Sequence, residues 1–214
     1  YILKKNKINL ISSGGTYKSI KKLGFKCKEV SEFTGFDEML DGRVKTLHPK
    51  IHSGILFNRS KKIHKKQMKK KQFEPIDLVI VNFYPFETTI KQTSSKEKII
   101  ENIDIGGPSM VRAAAKNFKD VTVITDKQDY PELTKELKKF KGRTTFKFRK
   151  HMASKAYGLT AYYDAIVSEW FNRDIGLDFP ETKTFFGKKI SQLRYGENPH
   201  QKSSIYINSL KNDD

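Results

Sequence analysis

Asp77-Leu78-Val79-Ile80-Val81-Asn82-Phe83-Tyr84-Pro85-Phe86 carries the clearest strand signal in the chain. Its continuous apolar centre reads as a central parallel strand covered on both faces, since a strand with one wet face would alternate. Pro85 has no N–H to give a ladder and stops it. Asn82 and Tyr84 then stand at the carboxyl end of the strand, where open α/β sheets gather ligand groups. A buried Tyr with a satisfied hydroxyl is the other reading of Tyr84. Working outward, shorter strand signals recur at residues 8–11, 26–30 and 121–125. Between them lie helical patterns: Tyr17, Ile20 and Leu23; the Lys-rich run 61–71; 95–103; 131–140; and the long stretch 145–171. Residues 31–40 read as a turn with a short helix around Phe36 and Met39. Strands alternating with helices predict an α/β domain with a parallel sheet.

A second stretch follows from the first. Asp104-Ile105-Gly106-Gly107-Pro108-Ser109-Met110-Val111-Arg112-Ala113-Ala114-Ala115-Lys116-Asn117 brings together a carboxylate, two glycines and two cations. Pro108 reads as the first residue of a helix, where its missing N–H costs nothing. The helix N-terminus offers unpaired N–H groups and a partial positive charge. Arg112 and Lys116 are four apart and share a face. A carboxylate with a Lys in the same segment suits proton movement. A capped helix with solvated cations is the plainer reading of the same letters.

Two more segments carry chemistry. Ser12-Ser13-Gly14-Gly15-Thr16 joins a strand to a helix, an arrangement whose loop N–H groups and hydroxyls converge on an anion. It is neither the dinucleotide fingerprint nor a Walker loop, and an unliganded Gly-Gly turn has the same spelling. Gly42-Arg43-Val44-Lys45-Thr46-Leu47-His48-Pro49-Lys50-Ile51-His52 alternates cations with apolar residues. Read as extended chain, it points Arg43 and Lys45 to one side, able with Thr46 to clasp a phosphate or a polar heterocycle. His48 and His52 have a metal-like spacing. Pro49 predicts no regular helix there, and no Glu supplies the zinc-protease pattern, so they read as packed or hydrogen-bonded histidines rather than ligands.

Composition sets outer bounds. A chain of 214 residues can build one sizeable core, or one domain and a fragment. The net charge is +18, but 35 of the 42 basic residues are lysine, whereas base-reading sites lean on Arg. The densest run, 61–71, has no aromatic on which a base could stack, so nucleic acid is not an expected partner. No apolar run approaches membrane-spanning length, and no secretory signal opens the chain. Cys27 is the sole cysteine, so no internal disulfide can form, which suits the cytoplasm. The first residue is Tyr rather than Met, an indication that the natural start lies upstream.

Together the motifs resemble the bifunctional purine-biosynthesis family that combines IMP cyclohydrolase with AICAR formyltransferase. The matching pieces are Ser13 to Thr16, Ser31 to Phe36, Gly42 to Pro49, Asn82 to Phe86 and Ile103 to Asn117, with Leu193 to Gln201 similar to the opening of the formyltransferase domain. The family's first strand, with its Ser-Asp-Lys motif, is lacking here. The resemblance implies an α/β, doubly wound, mainly parallel sheet similar to methylglyoxal synthase. It implies a cyclohydrolase domain over 1–172, a linker over 173–187, and the start of a formyltransferase domain over 188–214.

The implied reaction closes the purine ring of 5-formamidoimidazole-4-carboxamide ribotide to IMP with loss of water, and uses no cofactor. The full-length family member also transfers a formyl group from 10-formyltetrahydrofolate. By motif, the resemblance makes Lys45, Tyr84, Asp104 and Lys116 catalytic. It makes Ser13, Gly14, Gly15, Thr16, Arg43, Val44, Thr46, Val81, Asn82, Ile105, Gly106 and Gly107 substrate-binding. Arg194 and Tyr195 resemble binding residues of the second domain. A homodimer and a nucleotide substrate are the implied partners, with no metal, nucleic acid or membrane. A non-catalytic phosphate- or nucleotide-sensing domain of the same fold is the alternative.

Overall fold

The structure is a computed structural model that describes residues 1–208. The chain forms two compact units, one of residues 1–83 and 104–158, the other of 84–103 and 159–208.

The first unit contains α1 (Ile2–Lys5), β1 (Ile11–Ser12), α2 (Gly14–Lys22), β2 (Lys28–Glu29), α3 (Val30–Thr34), a 3₁₀ turn (Leu40–Gly42), α4 (Pro49–Leu56), α5 (Lys62–Lys71) and β3 (Leu78–Ile80). In the second unit follow α6 (Phe86–Gln92) and α7 (Lys96–Glu101). The chain then returns to the first unit with α8 (Gly106–Lys116), β4 (Thr122–Ile124), a second 3₁₀ turn (Lys127–Asp129) and α9 (Tyr130–Lys139). α10 (Phe146–Asp174) belongs to the first unit up to Gly158 and to the second from Leu159.

The parallel pairing expected of an α/β fold is present in two ladders. β1 pairs with β2 in the register Ile11↔Lys28, and β3 with β4 in the register Leu78↔Thr122 to Ile80↔Ile124. Backbone bonds extend the second ladder at both ends, Thr122 N–H to the Asp77 carbonyl and Val81 N–H to the Ile124 carbonyl, each 3.0 Å. The strand covered on both faces is β4, whose three residues are all buried. β3 is not: Val79 is buried but Ile80 is 39% exposed, which corrects the reading of 77–86 as a doubly covered strand.

The core of this unit joins α8 to its neighbours. Val111, Ala113, Ala114 and Ala115 of α8 pack with Ile51 and Ile55 of α4, Val123 and Ile124 of β4, Leu133 and Leu137 of α9, and Phe148 and Met152 of α10. The Ala triplet lets neighbouring elements approach α8 closely while removing apolar surface from water. Polar clamps fix the ends. The Asn117 amide donates to the carbonyls of Ile55 (2.7 Å) and Phe57 (3.1 Å), satisfying groups at the C-terminus of α4. Arg59 donates to the Asp120 carbonyl (2.7 Å) and the Ile76 carbonyl (3.0 Å), tying together the approaches to β3 and β4.

Three local expectations are corrected. Pro108 is the third residue of α8, not the first, since the helix begins at Gly106; the first four N–H groups have no helical partner, so Pro is tolerated there too. Pro49 does not prevent a helix but starts α4, with His48 as the cap whose Nδ1 accepts the Lys50 N–H at 3.1 Å. Residues 31–40 do not hold a helix around Phe36 and Met39; the helix is α3, ending at Gly35 in the left-handed region with φ 73°.

In the second unit, Phe86 is buried and meets Trp170 and Tyr163 edge-on, with ring centroids 6.2 and 6.1 Å apart. β5 (Lys188–Gln192) and β6 (Ser204–Ile207) form an antiparallel hairpin. Lys188 Nζ donates to Glu87 Oε2 at 2.6 Å, and the Tyr162 hydroxyl reaches the same oxygen at 3.2 Å. No helix among the described residues is long and apolar enough to cross a membrane.

Candidate nucleotide-binding site

The turn between β1 and α2 is shorter than its sequence predicts: α2 begins at Gly14, so Gly14, Gly15 and Thr16 form its first turn and Ser13 alone joins it to β1. Ser13 is extended (φ −134°, ψ 165°) and caps α2 without spending its side chain on a cap bond. Gly14 takes φ +55°, a conformation that glycine adopts without a Cβ penalty. Ser13 and Gly14 are half-buried, while Gly15 and Thr16 are exposed. The first N–H groups of α2 therefore lie at an accessible turn, beside a free hydroxyl.

Residues 43–47 are not extended, contrary to the expected alternation. The chain passes through three consecutive left-handed residues, Leu40 (φ 52°), Asp41 (φ 52°) and Gly42 (φ 87°). It then runs in tight turns: Arg43 N–H to the Leu40 carbonyl (3.0 Å), Lys45 N–H to that of Gly42 (3.2 Å), and Leu47 N–H to that of Val44 (2.9 Å). The backbone groups are satisfied locally, so the segment needs no strand partner. Left-handed non-glycine residues in a row are costly and persist where surroundings fix them.

This reversal brings Lys45 to the first loop. A methyl group added at Gly14 would lie 4.0 Å from Lys45 Nζ, so the ammonium stands beside the turn. The Lys45 amine pairs with Glu38 Oε1 at 2.7 Å. Glu38 was not among the expected site residues. It lies seven positions before Lys45, a spacing with no local meaning, and only the left-handed reversal joins them.

Thr46 reaches the other glycine pair. A methyl group at Gly106 would stand 2.5 Å from Thr46 Oγ1, so glycine is what lets the hydroxyl lie against the start of α8. Asp104 Oδ1 accepts the Gly107 N–H at 2.8 Å, placing a carboxylate at the positive end of α8. Its other oxygen fills the place a Gly107 side chain would need. Behind Thr46, the His52 imidazole bonds the Thr46 main-chain carbonyl, and its Nε2 is buried without a partner. Burial holds the His52 pKa below the usual imidazole value, against the opposing effect of that bond.

The structure thus unites residues 13–15, 45–46, 104 and 106–107. Arg43 and Ile105 are exposed near them in sequence, and Val44 is half-buried in the turn. Val81 closes the β3 ladder, with Asn82 exposed immediately after it. Lys116 is not brought to the glycine pair: ten residues separate it from Gly106, about 15 Å of helix axis at 1.5 Å per residue. Arg112, one turn earlier, stacks on the Tyr157 ring at 5.7 Å. Tyr84 belongs to the second unit and is 59% exposed. Arg194 and Tyr195, also in that unit, are exposed in the loop closed by the Gly196 N–H bond to the Gln201 carbonyl, 3.0 Å. Among the described residues no cluster of His, Cys, Asp and Glu is arranged to hold a metal.

The chain is similar to known proteins in both halves. Residues 2–109 match the family model described as MGS-like domain, and residues 114–214 the model described as AICARFT/IMPCHase bienzyme. It is 54% identical over 199 residues to the bifunctional purine biosynthesis protein PurH of Bradyrhizobium diazoefficiens, covering 93% of this chain and 38% of that protein. It is 48% identical over 203 residues to that of Thermoanaerobacter sp., covering 94% and 40%. The chain therefore spans about two fifths of the length of these curated relatives. A crystal structure of ForH superposes with a TM-score of 0.69 at 30% identity, over 79% of this chain and 89% of that one. With an α/β fold of the methylglyoxal-synthase type in its first half and bienzyme sequence in its second, the chain belongs to the bifunctional purine biosynthesis family.

Proposed function

We propose that this chain carries the IMP cyclohydrolase part of a bifunctional purine-biosynthesis enzyme. The observation that carries the reading is the meeting of the Ser13–Gly15 turn, the Lys45–Thr46 pair and the Asp104–Gly107 segment in the first unit. The α2 turn, with Thr46, receives the 5′-phosphate of a nucleotide. Arg43, Val44, Val81, Asn82 and Ile105 line its ribose and base.

Ring closure joins the carboxamide nitrogen to the formyl carbon. The carboxamide nitrogen loses one proton and the formamido nitrogen another, and with these two protons the formyl oxygen leaves as water. A carboxamide is a poor nucleophile, so positioning and a nearby base supply much of the acceleration. Asp104, held by the Gly107 N–H, is the base nearest the glycine pair. Negative charge developing on the formyl oxygen is met by the Lys45 ammonium and by N–H groups at the start of α8. Tyr84 and Lys116 enter this scheme by family resemblance alone. A sensing domain of the same fold would use the α2 turn but has no need of a carboxylate facing the glycine pair.

In the same reading, 1–172 form the cyclohydrolase domain, 173–187 a linker and 188–214 the start of the formyltransferase. The complete gene product uses 10-formyltetrahydrofolate there, with Arg194 and Tyr195 in AICAR binding. The cyclohydrolase step needs no cofactor. The enzyme is a cytoplasmic homodimer acting on small nucleotides. The test is chromatographic detection of IMP made from the formylated ribotide by the complete gene product, alongside Lys45→Ala and Lys116→Ala. Turnover is expected in the wild type and loss of it, with an unchanged circular dichroism spectrum, in both variants. No IMP from the wild type overturns the activity; unchanged turnover in either variant removes that lysine from the mechanism.

A further inference from the structure

Glu38 is the one acidic side chain paired with Lys45 among the described residues, and the local backbone is arranged around that pair. Lys45 is largely covered (side chain 21% exposed), while Glu38 is about half exposed. Gly42 lies between them: a methyl group there would stand 2.6 Å from Glu38 Oε1 and 3.6 Å from Lys45 Nζ. Its φ of +87° is also one that an L side chain rarely adopts. Two independent demands, space for the ion pair and a left-handed turn, therefore fall on the same glycine. The ammonium so held stands at the Gly14 turn, 4.0 Å from where a Gly14 side chain would begin. An isolated surface pair needs none of this support and contributes little to stability.

We propose that Glu38 is a positioning residue for Lys45, which it holds beside the Ser13–Gly15 turn and releases to the formyl oxygen of the bound ligand as negative charge develops there. This inference rests on the reading of that turn as the phosphate end of the site. The physical argument has two sides. Without a counter-ion the four-carbon stem of Lys45 is free to sample other rotamers, and its aim is lost. With the counter-ion in place, the carboxylate repels the negative charge that the turn is built to receive. Glu38 thus opposes ligand binding slightly while holding the group that acts on the bound ligand. A residue that merely props up the loop does not have these opposite effects.

Opposite signs make the proposal testable. Glu38→Gln removes the charge and keeps the shape; Glu38→Ala removes both. In the complete gene product, IMP binding by titration calorimetry is expected to tighten by about two- to fivefold in Glu38→Gln, the range of an exposed charge interaction. The kcat for IMP formation is expected to fall by about tenfold or more from the misaimed amine. Weakened IMP binding, or an unchanged kcat, overturns the proposal; weakened binding together with a fallen melting temperature assigns Glu38 a purely structural role. A third readout is independent of the activity. Acetylation of Lys45 by an N-hydroxysuccinimide ester, followed by mass spectrometry, is expected to quicken severalfold in both variants. Unchanged labelling refutes the pairing. If the wild type neither binds nor makes IMP, the functional reading fails while the labelling still decides the ion pair.

Discussion

Substituting Gly54 by Ala isolates the packing of α4, the helix whose start follows the Lys45 loop. Gly54 is buried in α4, and a methyl group there would lie 2.7 Å from the Glu74 carbonyl oxygen and 3.1–3.2 Å from Ile76 carbons. The nearest atom is backbone and cannot swing aside. The Gly54 carbonyl also accepts the Ile76 N–H at 3.0 Å, so the strand approach is locked to the helix at this point. Helix propensity alone favours Ala over Gly by about 1 kcal/mol. Overpacking against a fixed neighbour costs about 1–3 kcal/mol, and loss of the backbone bond adds about 0.5–1.5 kcal/mol. The balance is a net destabilisation of about 0.5–3.5 kcal/mol. Gly158→Ala is the matched control. Gly158 lies inside α10 with nothing within 4 Å of its would-be methyl group, so only the propensity gain operates. It is expected to stabilise by about 0.4–1 kcal/mol. Urea unfolding followed by circular dichroism reads both variants. If Gly54→Ala is as stable as the wild type, or the two variants shift in the same direction, the packing account of α4 is wrong.

Other outcomes follow from the same geometry. Asp104→Asn keeps an oxygen for the Gly107 N–H but removes the base, so IMP formation in steady-state assays should fall by about a hundredfold or more, with the melting temperature nearly unchanged. Arg59→Lys cannot reproduce the fork that spans the Asp120 and Ile76 carbonyls, and should cost about 2–4 kcal/mol in urea unfolding. His52 is held neutral by burial, so below about pH 6.5 the unfolded chain takes up its proton more readily than the folded one. Its contribution to stability is therefore complete above that pH and is lost as pH falls through the depressed folded value. The urea midpoint of His52→Gln should show less acid dependence between pH 7.5 and 5 than that of the wild type.

Several features were legible in the letters. The order of strand, Gly turn and helix within 8–22, the helix after Asp104 and the Lys-rich helix follow from apolar spacing and Gly or Pro punctuation. These signals are local: each depends on neighbours within a turn or two. The misreadings share the opposite cause. Alternation in Arg43–Lys45 resembles a strand, yet three left-handed residues upstream turn the chain and let it satisfy its hydrogen bonds within itself. The apolar run 77–86 resembles a doubly covered strand, yet the cover is on β4, because α8, α9 and α10 bring their apolar faces there.

What the sequence determined by itself is the chemistry on offer. It specified a Ser-Gly-Gly turn at Ser13–Gly15 between a strand and a helix, a carboxylate ahead of a Gly pair, a Lys–Thr pair, and no cysteine partner for Cys27. What only the tertiary structure decided is which of these meet. Thr46 lies on Gly106, Lys45 beside Gly14 and paired to Glu38, while Lys116 remains about 15 Å down its helix from the glycines. The reason is that residue identity sets what a side chain can do within one or two turns of backbone. Contacts between segments tens of residues apart depend on how α4, α8 and the β3–β4 ladder pack together, and no short stretch of sequence carries that information.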